Sequence, residues 1–156
     1  MTAHVQNPLR RPDFTPADSP CNLFYLRRAA RAVSRQYEAI MKAGGAHAPQ
    51  FSVLFVLSVA GGLSITELAQ KMGMDRSSMS RNLQPLQAQG LITIGDEGTA
   101  RARQVSLTST GQTVLQELLP LWRQAQSQFI AQLGEEDTAQ LITLLGRVAR
   151  LGSEES

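Results

Sequence analysis

The segment "SITELAQKMGMDRSSMSRNLQPLQAQG", residues 64–90, constrains the fold more than any other part of the chain. The two helices of a helix-turn-helix cross closely. They need a small residue in the first helix, a glycine in the turn and an apolar residue in the second. Ala69, Gly73 and Met79 have this relative spacing. The segment therefore predicts a helix-turn-helix.

Both helices of this segment carry the signals of a capped N-terminus. Ser64 and Glu67 have the pattern of a capping box at the start of the first helix. Asp75 is placed to cap the second helix. Pro85 lies inside the second helix, and proline removes an amide and restricts the residue before it. We therefore expect a kink or an early loosening near residue 84.

The second helix has an apolar side and a polar side. Met79, Leu83 and Leu86 recur at helical spacing and are expected to face the core. Serine is a mediocre helix former, so several serines in one short helix suggest a partner outside it. Short hydroxyls at a helix N-terminus allow close approach to phosphates and base edges, and arginine binds guanine or phosphate. The alternative is a solvated polar face. The predicted DNA contacts of the segment are Ser64, Arg76, Ser77, Ser78, Ser80, Arg81 and Gln84.

Two β-prone runs follow the helices. "LITI" and "RQVSLT" flank "GDEGTARA", which combines glycine and charge and has no large apolar residue, so a hairpin with a protruding loop is expected. Arg101 and Arg103 lie in the loop region, where a basic hairpin tip can enter an adjacent minor groove. The alternative is a solvent-exposed hairpin without a DNA contact. Three helices followed by a hairpin is the order of a winged helix-turn-helix.

The segments before and after the winged helix-turn-helix predict a second layer of helices. Residues 1–20 contain four prolines and read as a flexible or extended arm. Residues 21–47 are expected to form a helix with an apolar stripe, and residues 48–108 the DNA-binding lobe, whose first helix is apolar nearly all round and is expected to be buried. Residues 109–156 are expected to form two further helices with apolar stripes, the first of them capped by Thr108. One winged lobe cannot cover all these stripes. The expected fold is thus mainly α with a small β-hairpin wing, and its N- and C-terminal helices form a dimerisation layer.

Composition and charge limit the classes of function that the chain is expected to have. Residues 1–50 carry seven Lys or Arg against three acids, whereas residues 106–156 carry three against six, so a polyanion should prefer the first two thirds of the chain. No phosphate loop, nucleophile elbow or metal-ligand spacing occurs, so no catalytic residue, metal or cofactor is predicted. With one cysteine, no secretory signal and no membrane span, a cytoplasmic protein is expected. A winged domain used for docking another protein remains an alternative.

The run at residues 64–92, followed by "GDEGTARARQVSLTSTG", resembles the MarR family of bacterial transcription regulators, and the similarity extends over about residues 22–151. The resemblance implies a homodimer that binds a pseudo-palindromic operator, usually as a repressor. Members are released by small, often aromatic or phenolic ligands, or by oxidation. By the same resemblance Arg101 matches the arginine of the family's wing motif Asp-x-Arg, whose aspartate position is Thr99 here.

Two effector classes stay open. The family usually places a ligand between the dimer layer and the DNA-binding lobe, and an aromatic carboxylate is the favoured ligand there. Its candidate contacts are Arg31, Arg35, Tyr37, His47, Gln50 and Phe51, whereas Trp122 is expected to be core. The alternative is a redox-sensing repressor that detects peroxides through Cys21, at the start of the first helix and close to arginines.

Overall fold

The computed structural model describes residues 21–45, 47–95 and 104–151. The chain divides into two compact units, with the boundary after Arg35. In the described residues there are six α-helices and three short strands. Helix α1, Asn22–Met41, begins in the first unit and ends in the second.

The first unit is described from residue 21 to Arg35, and this stretch is helical from Asn22. Its large apolar side chains are open to solvent: Leu23 is 62% exposed, Phe24 51% and Leu26 38%. The rings of Phe24 and Tyr25 meet edge to face at a centroid distance of 5.4 Å.

The second unit contains the predicted winged helix-turn-helix, whose helices are α2 (Ala48–Ala60), α3 (Ile65–Lys71) and α4 (Arg76–Ala88). A long helix α5 (Ser109–Leu133) and a final helix α6 (Glu135–Leu151) follow. The turn between α3 and α4 has Gly73 at φ 63°, a backbone conformation that favours glycine. The mainly helical winged architecture expected from the sequence is confirmed.

A small antiparallel sheet supports the helix-turn-helix. Strands β2 (Ile92–Ile94) and β3 (Gln104–Leu107) form the predicted hairpin, with Ile92 opposite Leu107. A third strand, β1 (Leu63–Ser64), pairs with the other edge of β3 and gives the order β1-β3-β2. The sequence did not predict β1, because two residues are too short to show an alternating pattern.

The core of the second unit lies between α2, α3, α4, the sheet and the first half of α5. Its fully buried large side chains are Met41, Leu54, Leu57, Leu68, Met79, Leu83, Leu86, Ile92, Val105 and Leu118. Ala69, the small residue expected at the helix crossing, is 3% exposed. The predicted inner stripe of the second helix is therefore confirmed, and it fixes which side of α4 faces solvent.

Three predicted helix caps are confirmed. The backbone amide of Glu67 donates to Ser64 Oγ at 3.2 Å, and Glu67 Oε2 accepts from the Ser64 amide at 2.8 Å. The Ser78 amide donates to Asp75 Oδ1 at 2.8 Å. The Gly111 amide donates to Thr108 Oγ1 at 2.9 Å. Each bond satisfies an amide that would otherwise have no partner within its helix.

Two sequence expectations are wrong in this unit. The early loosening expected near residue 84 does not occur, since α4 continues through Pro85 to Ala88 and the flanking Leu83 and Leu86 are both fully buried. The kink offered as the other possibility stays a prediction. Helix α2 was expected to be buried nearly all round, yet Phe55 is 38% exposed and Val59 75%. The sides of α2 that pack on α5 and β3 are covered.

The end of α4 is joined directly to the start of α5. Thr108 Oγ1 donates to the Gly90 carbonyl at 2.7 Å, and the Thr108 amide donates to the Leu91 carbonyl at 3.1 Å. A Cβ atom built on Gly111 would lie 2.0 Å from the same Leu91 carbonyl oxygen. Only glycine allows this approach of the two backbones.

Among the described residues, no single helix has the length and apolar character to cross a membrane. The broken pair formed by residues 22–44 and 48–60 meets that test of length and composition when its two parts are taken together.

Because Gly111 lies so close to the Leu91 backbone, we expect substitution of Gly111 to cause a large loss of stability. Gly111→Ala must push two backbone segments apart, and overpacking of this kind costs about 3 kcal/mol of unfolding free energy. Urea denaturation followed by circular dichroism measures the change. Gly146→Ala is the matched control, since no atom lies within 4 Å of its built Cβ and it is helical. We expect it to be neutral or to stabilise by up to about 1 kcal/mol. Equal stability of the two variants would contradict the close approach at Gly111.

Candidate functional site

The solvent-facing side of α4 carries the predicted DNA contacts. Arg76, Ser77, Arg81 and Gln84 are exposed and Ser80 is half-buried, while the inner stripe of the same helix is fully buried. The structure thus brings these five side chains together on one helix, turned away from the core. Such a surface can offer guanidinium, hydroxyl and amide groups to base edges and phosphates.

The N-terminus of α4 is fixed by Asp75. Its carboxylate accepts the Ser78 amide at 2.8 Å and the Ser78 hydroxyl at 2.7 Å. These two bonds, with the backbone bond larger, hold the pKa of the Asp75 carboxyl below its usual value. The carboxylate is therefore ionised at neutral pH, next to the predicted DNA-contacting residues.

Ser78 takes part in a second bond. Arg81 Nη2 donates to Ser78 Oγ at 2.9 Å, so the Ser78 hydroxyl lies between a carboxylate and a guanidinium. The sequence pattern placed Ser78 among the DNA contacts, but it could not show that this hydroxyl is engaged within the helix.

Ser64, also predicted to contact DNA, lies at the start of α3 and is half-buried in strand β1. Its side chain is the cap of α3. Hydrogen bonds with Ser64 also lower the pKa of the Glu67 carboxyl, with the side-chain bond the larger cause. The wing arginines Arg101 and Arg103 lie outside the described residues, as does Thr99.

Two of the predicted effector contacts line one cavity. His47 and Gln50, at the start of α2, face α4 across a cavity of about 220 Å³. The other lining residues are Pro49, Val53, Arg81, Asn82, Pro85 and Leu86. The walls supplied by proline, valine and leucine are apolar, while His47, Gln50, Arg81 and Asn82 bring polar groups. An apolar cavity with a few polar groups is the usual form of a small-molecule site.

The sequence did not place Arg81, Asn82 or Pro85 at this cavity. Their spacing on one helix indicates a shared side, but nothing in the sequence reveals that the side meets the start of α2. Arg81 consequently borders both the predicted DNA-contacting surface and the cavity.

His47 is paired with Glu38 at the end of α1. The imidazole Nδ1 contacts Glu38 Oε1, and the Ala48 amide donates to Glu38 Oε2 at 3.0 Å. These bonds, the Ala48 bond first, lower the pKa of the Glu38 carboxyl. Gln50 Oε1 accepts from the His47 amide at 3.4 Å. The imidazole, which is 61% exposed, is thereby held near the N-terminus of α2.

Tyr37 and Phe51, also predicted effector contacts, do not line this cavity. The Tyr37 hydroxyl donates to Gln126 Oε1 on α5, and partial burial raises the pKa of the phenol. Phe51 is buried and stacks with Phe55 and Trp122 at centroid distances of 5.9 and 5.8 Å. Trp122 packs against the core, as expected.

The remaining effector candidates belong to the first unit. Arg31 and Arg35 are exposed on α1. Cys21 is a free, exposed thiol directly before α1. In the part of the chain that the structure describes, no group of three or more His, Cys, Asp or Glu residues is arranged to hold a metal ion.

Comparisons with known proteins agree with this architecture. A model of the MarR family matches residues 45–102. A protein of Thauera aromatica assigned as a transcriptional regulatory protein for the hcr operon is 32% identical over 133 residues, which cover 84% of this chain and 80% of that protein. The crystal structure of the transcriptional regulator MosR of M. tuberculosis in complex with DNA has a TM-score of 0.72 and 32% identity, with 84% of this chain and 97% of that chain covered.

A further solved structure is similar in fold. The transcriptional repressor CouR bound to p-coumaroyl-CoA has a TM-score of 0.76 and 22% identity, with 90% of this chain and 99% of that chain covered. The helix-turn-helix, the antiparallel sheet beside it and the extent of these matches lead to one assignment. The chain belongs to the MarR family of winged-helix transcriptional regulators, which bind DNA.

Proposed function

We propose that this protein is a homodimeric repressor that binds an inverted-repeat operator through α4 and is released by a small aromatic carboxylate or phenolic ligand. The solvent-facing side of α4 is the observation that supports DNA binding. Two arginines, two serines and a glutamine project from a helix whose opposite side is fully buried. The α4 side chains thus match the groups that read the major groove.

Self-association is supported by exposed apolar side chains on α6. Ile142 is 60% exposed, Leu144 53% and Leu151 74%, which is more apolar surface than a helix normally leaves in water. Helix α1 independently exposes Leu23, Phe24 and Leu26. A two-fold dimer covers such surfaces and presents two copies of α4, which fits an operator with half-sites about one helical turn apart.

The cavity between α2 and α4 supports the effector part of the proposal. A volume of about 220 Å³ suits a single aromatic ring with a short substituent. Arg81 and His47 offer cationic or hydrogen-bonding partners for a carboxylate or phenol. Because Arg81 also belongs to the DNA-contacting surface, a ligand that engages it weakens DNA binding, and by linkage DNA weakens ligand binding equally.

Arginine substitutions on α4 test DNA recognition. Arg81→Ala or Arg76→Ala should cost about 1 to 3 kcal/mol of binding free energy on the operator if the side chain reads a base. Fluorescence anisotropy with a duplex selected from a random-sequence library and with a scrambled duplex gives both affinities. Arg123→Ala, an exposed arginine on α5, is the matched control and should change neither.

Other outcomes of these measurements would change or overturn the proposal. Equal losses on selected and scrambled duplexes assign the arginine to phosphate positioning. No loss for either α4 arginine at low salt, where phosphate contacts are strongest, would overturn the proposal that α4 contacts DNA. A monomer in sedimentation equilibrium at micromolar concentration would overturn the dimer.

Ligand binding is tested by thermal shift with benzoate, 4-hydroxybenzoate and cumene hydroperoxide. A ligand that binds the native state raises the melting temperature by mass action. His47→Asn places a residue that is favoured at helix N-caps before α2 and removes the imidazole, and we expect it to weaken binding of the aromatic acids about tenfold. Gln128→Ala, exposed on α5, is the control.

Cys21→Ser separates the two effector classes. The exposed free thiol favours oxidation by peroxide as the second candidate function. Under the ligand proposal Cys21→Ser leaves the shifts produced by the aromatic acids unchanged. If Cys21→Ser abolished every response, or if only the hydroperoxide released DNA, the redox alternative would replace the ligand proposal.

A further inference from the structure

The Ser78 hydroxyl is engaged on two sides within α4. Its proton is donated to Asp75 Oδ2 at 2.7 Å, and its oxygen accepts from Arg81 Nη2 at 2.9 Å. A serine hydroxyl has one proton and two lone pairs, so Ser78 has no donor left for a DNA phosphate or base. This geometry contrasts with the prediction that Ser78 contacts DNA directly.

We infer that Ser78 is a positioning residue, which holds the Arg81 guanidinium on the DNA-facing side of α4. The inference rests on the proposed function of Arg81 as a DNA contact. Asp75, Ser78 and Arg81 are spaced by three residues along α4, so their side chains follow one another along the same side of the helix.

The bond to Ser78 removes motion that an exposed arginine otherwise has. A free arginine side chain carries a large rotamer entropy, which is lost when it binds. Fixing the guanidinium before binding lowers this cost. The guanidinium has five N–H groups, and the bond to Ser78 uses one of them, so the pair needed for a guanine remains.

Asp75 sets the direction of the Ser78 hydroxyl. The ionised carboxylate attracts the hydroxyl proton, which turns an oxygen lone pair toward Arg81. The helix cap itself uses the Ser78 backbone amide, which any residue except proline retains. A change of the Ser78 side chain therefore separates the positioning of Arg81 from the capping of the helix.

A double-mutant cycle tests the inference. Wild type, Ser78→Ala, Arg81→Ala and the double variant are titrated with a duplex that wild-type protein selected from a random-sequence library, and with a scrambled duplex. Ser127→Ala is the matched control, since Ser127 is exposed on α5 and is not one of the predicted DNA contacts. Circular dichroism and melting temperature establish that each variant folds.

If Ser78 acts through Arg81, Ser78→Ala weakens binding of the selected duplex by about 3- to 10-fold, because the Arg81 side chain must then be ordered when it binds. Binding of the scrambled duplex changes less. In the Arg81→Ala background the same substitution has no further effect, because the group that Ser78 positions is gone. Ser78→Thr, which keeps a hydroxyl, retains most of the affinity, whereas Ser78→Val, of the same shape without the hydroxyl, does not.

Each other outcome decides against the inference. Additive effects of the two substitutions would make Ser78 an independent DNA contact. Equal affinity of the threonine and valine variants would show that the hydroxyl has no role, even if Ser78→Ala folds poorly. If Arg81→Ala leaves affinity for the selected duplex unchanged, the proposed function of Arg81 fails together with the inference. A loss for Arg81→Ala without one for Ser78→Ala overturns the inference alone.

Discussion

The burial of one stripe on α4 is the constraint on which the rest of the structure depends. Met79, Leu83 and Leu86 are completely removed from solvent, and together they fix the rotation of the helix about its axis. Rotation of a helix about its own axis decides which side chains face the surface that it packs on. Once the apolar stripe is inside, the arginines and serines between those positions must face outward. The polar surface is therefore determined by the core.

Helix α4 belongs to two regions that the sequence pattern does not connect, the surface predicted to contact DNA and the cavity beside His47. Arg81 donates a hydrogen bond to Ser78 near the start of α4 and also borders the cavity next to His47. A group in that cavity would thus lie next to a side chain of the surface predicted to contact DNA. Arg81 alone borders both regions among the residues that line this cavity.

Local signals in the sequence were enough to predict much of this fold. The caps at Ser64, Asp75 and Thr108 depend on residues three positions apart, and their bonds are confirmed. The hairpin and the inner stripe of α4 follow from short-range periodicity. Strand β1 and the exposed side of α2 depend on which segments meet in space, and that information is absent from local patterns.

For the candidate site, residue types were predictable but their partners were not. The polar face of α4 was visible as a pattern, whereas the bond from Arg81 to Ser78 depends on rotamers. His47 and Gln50 were proposed as ligand contacts, but the part that Arg81 and Asn82 play in the same cavity depends on how α2 meets α4.

The junction of Thr108 and Gly111 with residues 90 and 91 has a mechanical consequence. Two hydrogen bonds and a backbone contact without an intervening side chain join residues 90 and 91, which follow α4, closely to the start of α5. The start of the 25-residue α5 is thereby coupled to the chain that leaves α4. A tilt of the first turn of α5 would therefore also displace α4 and the side chains predicted to contact DNA.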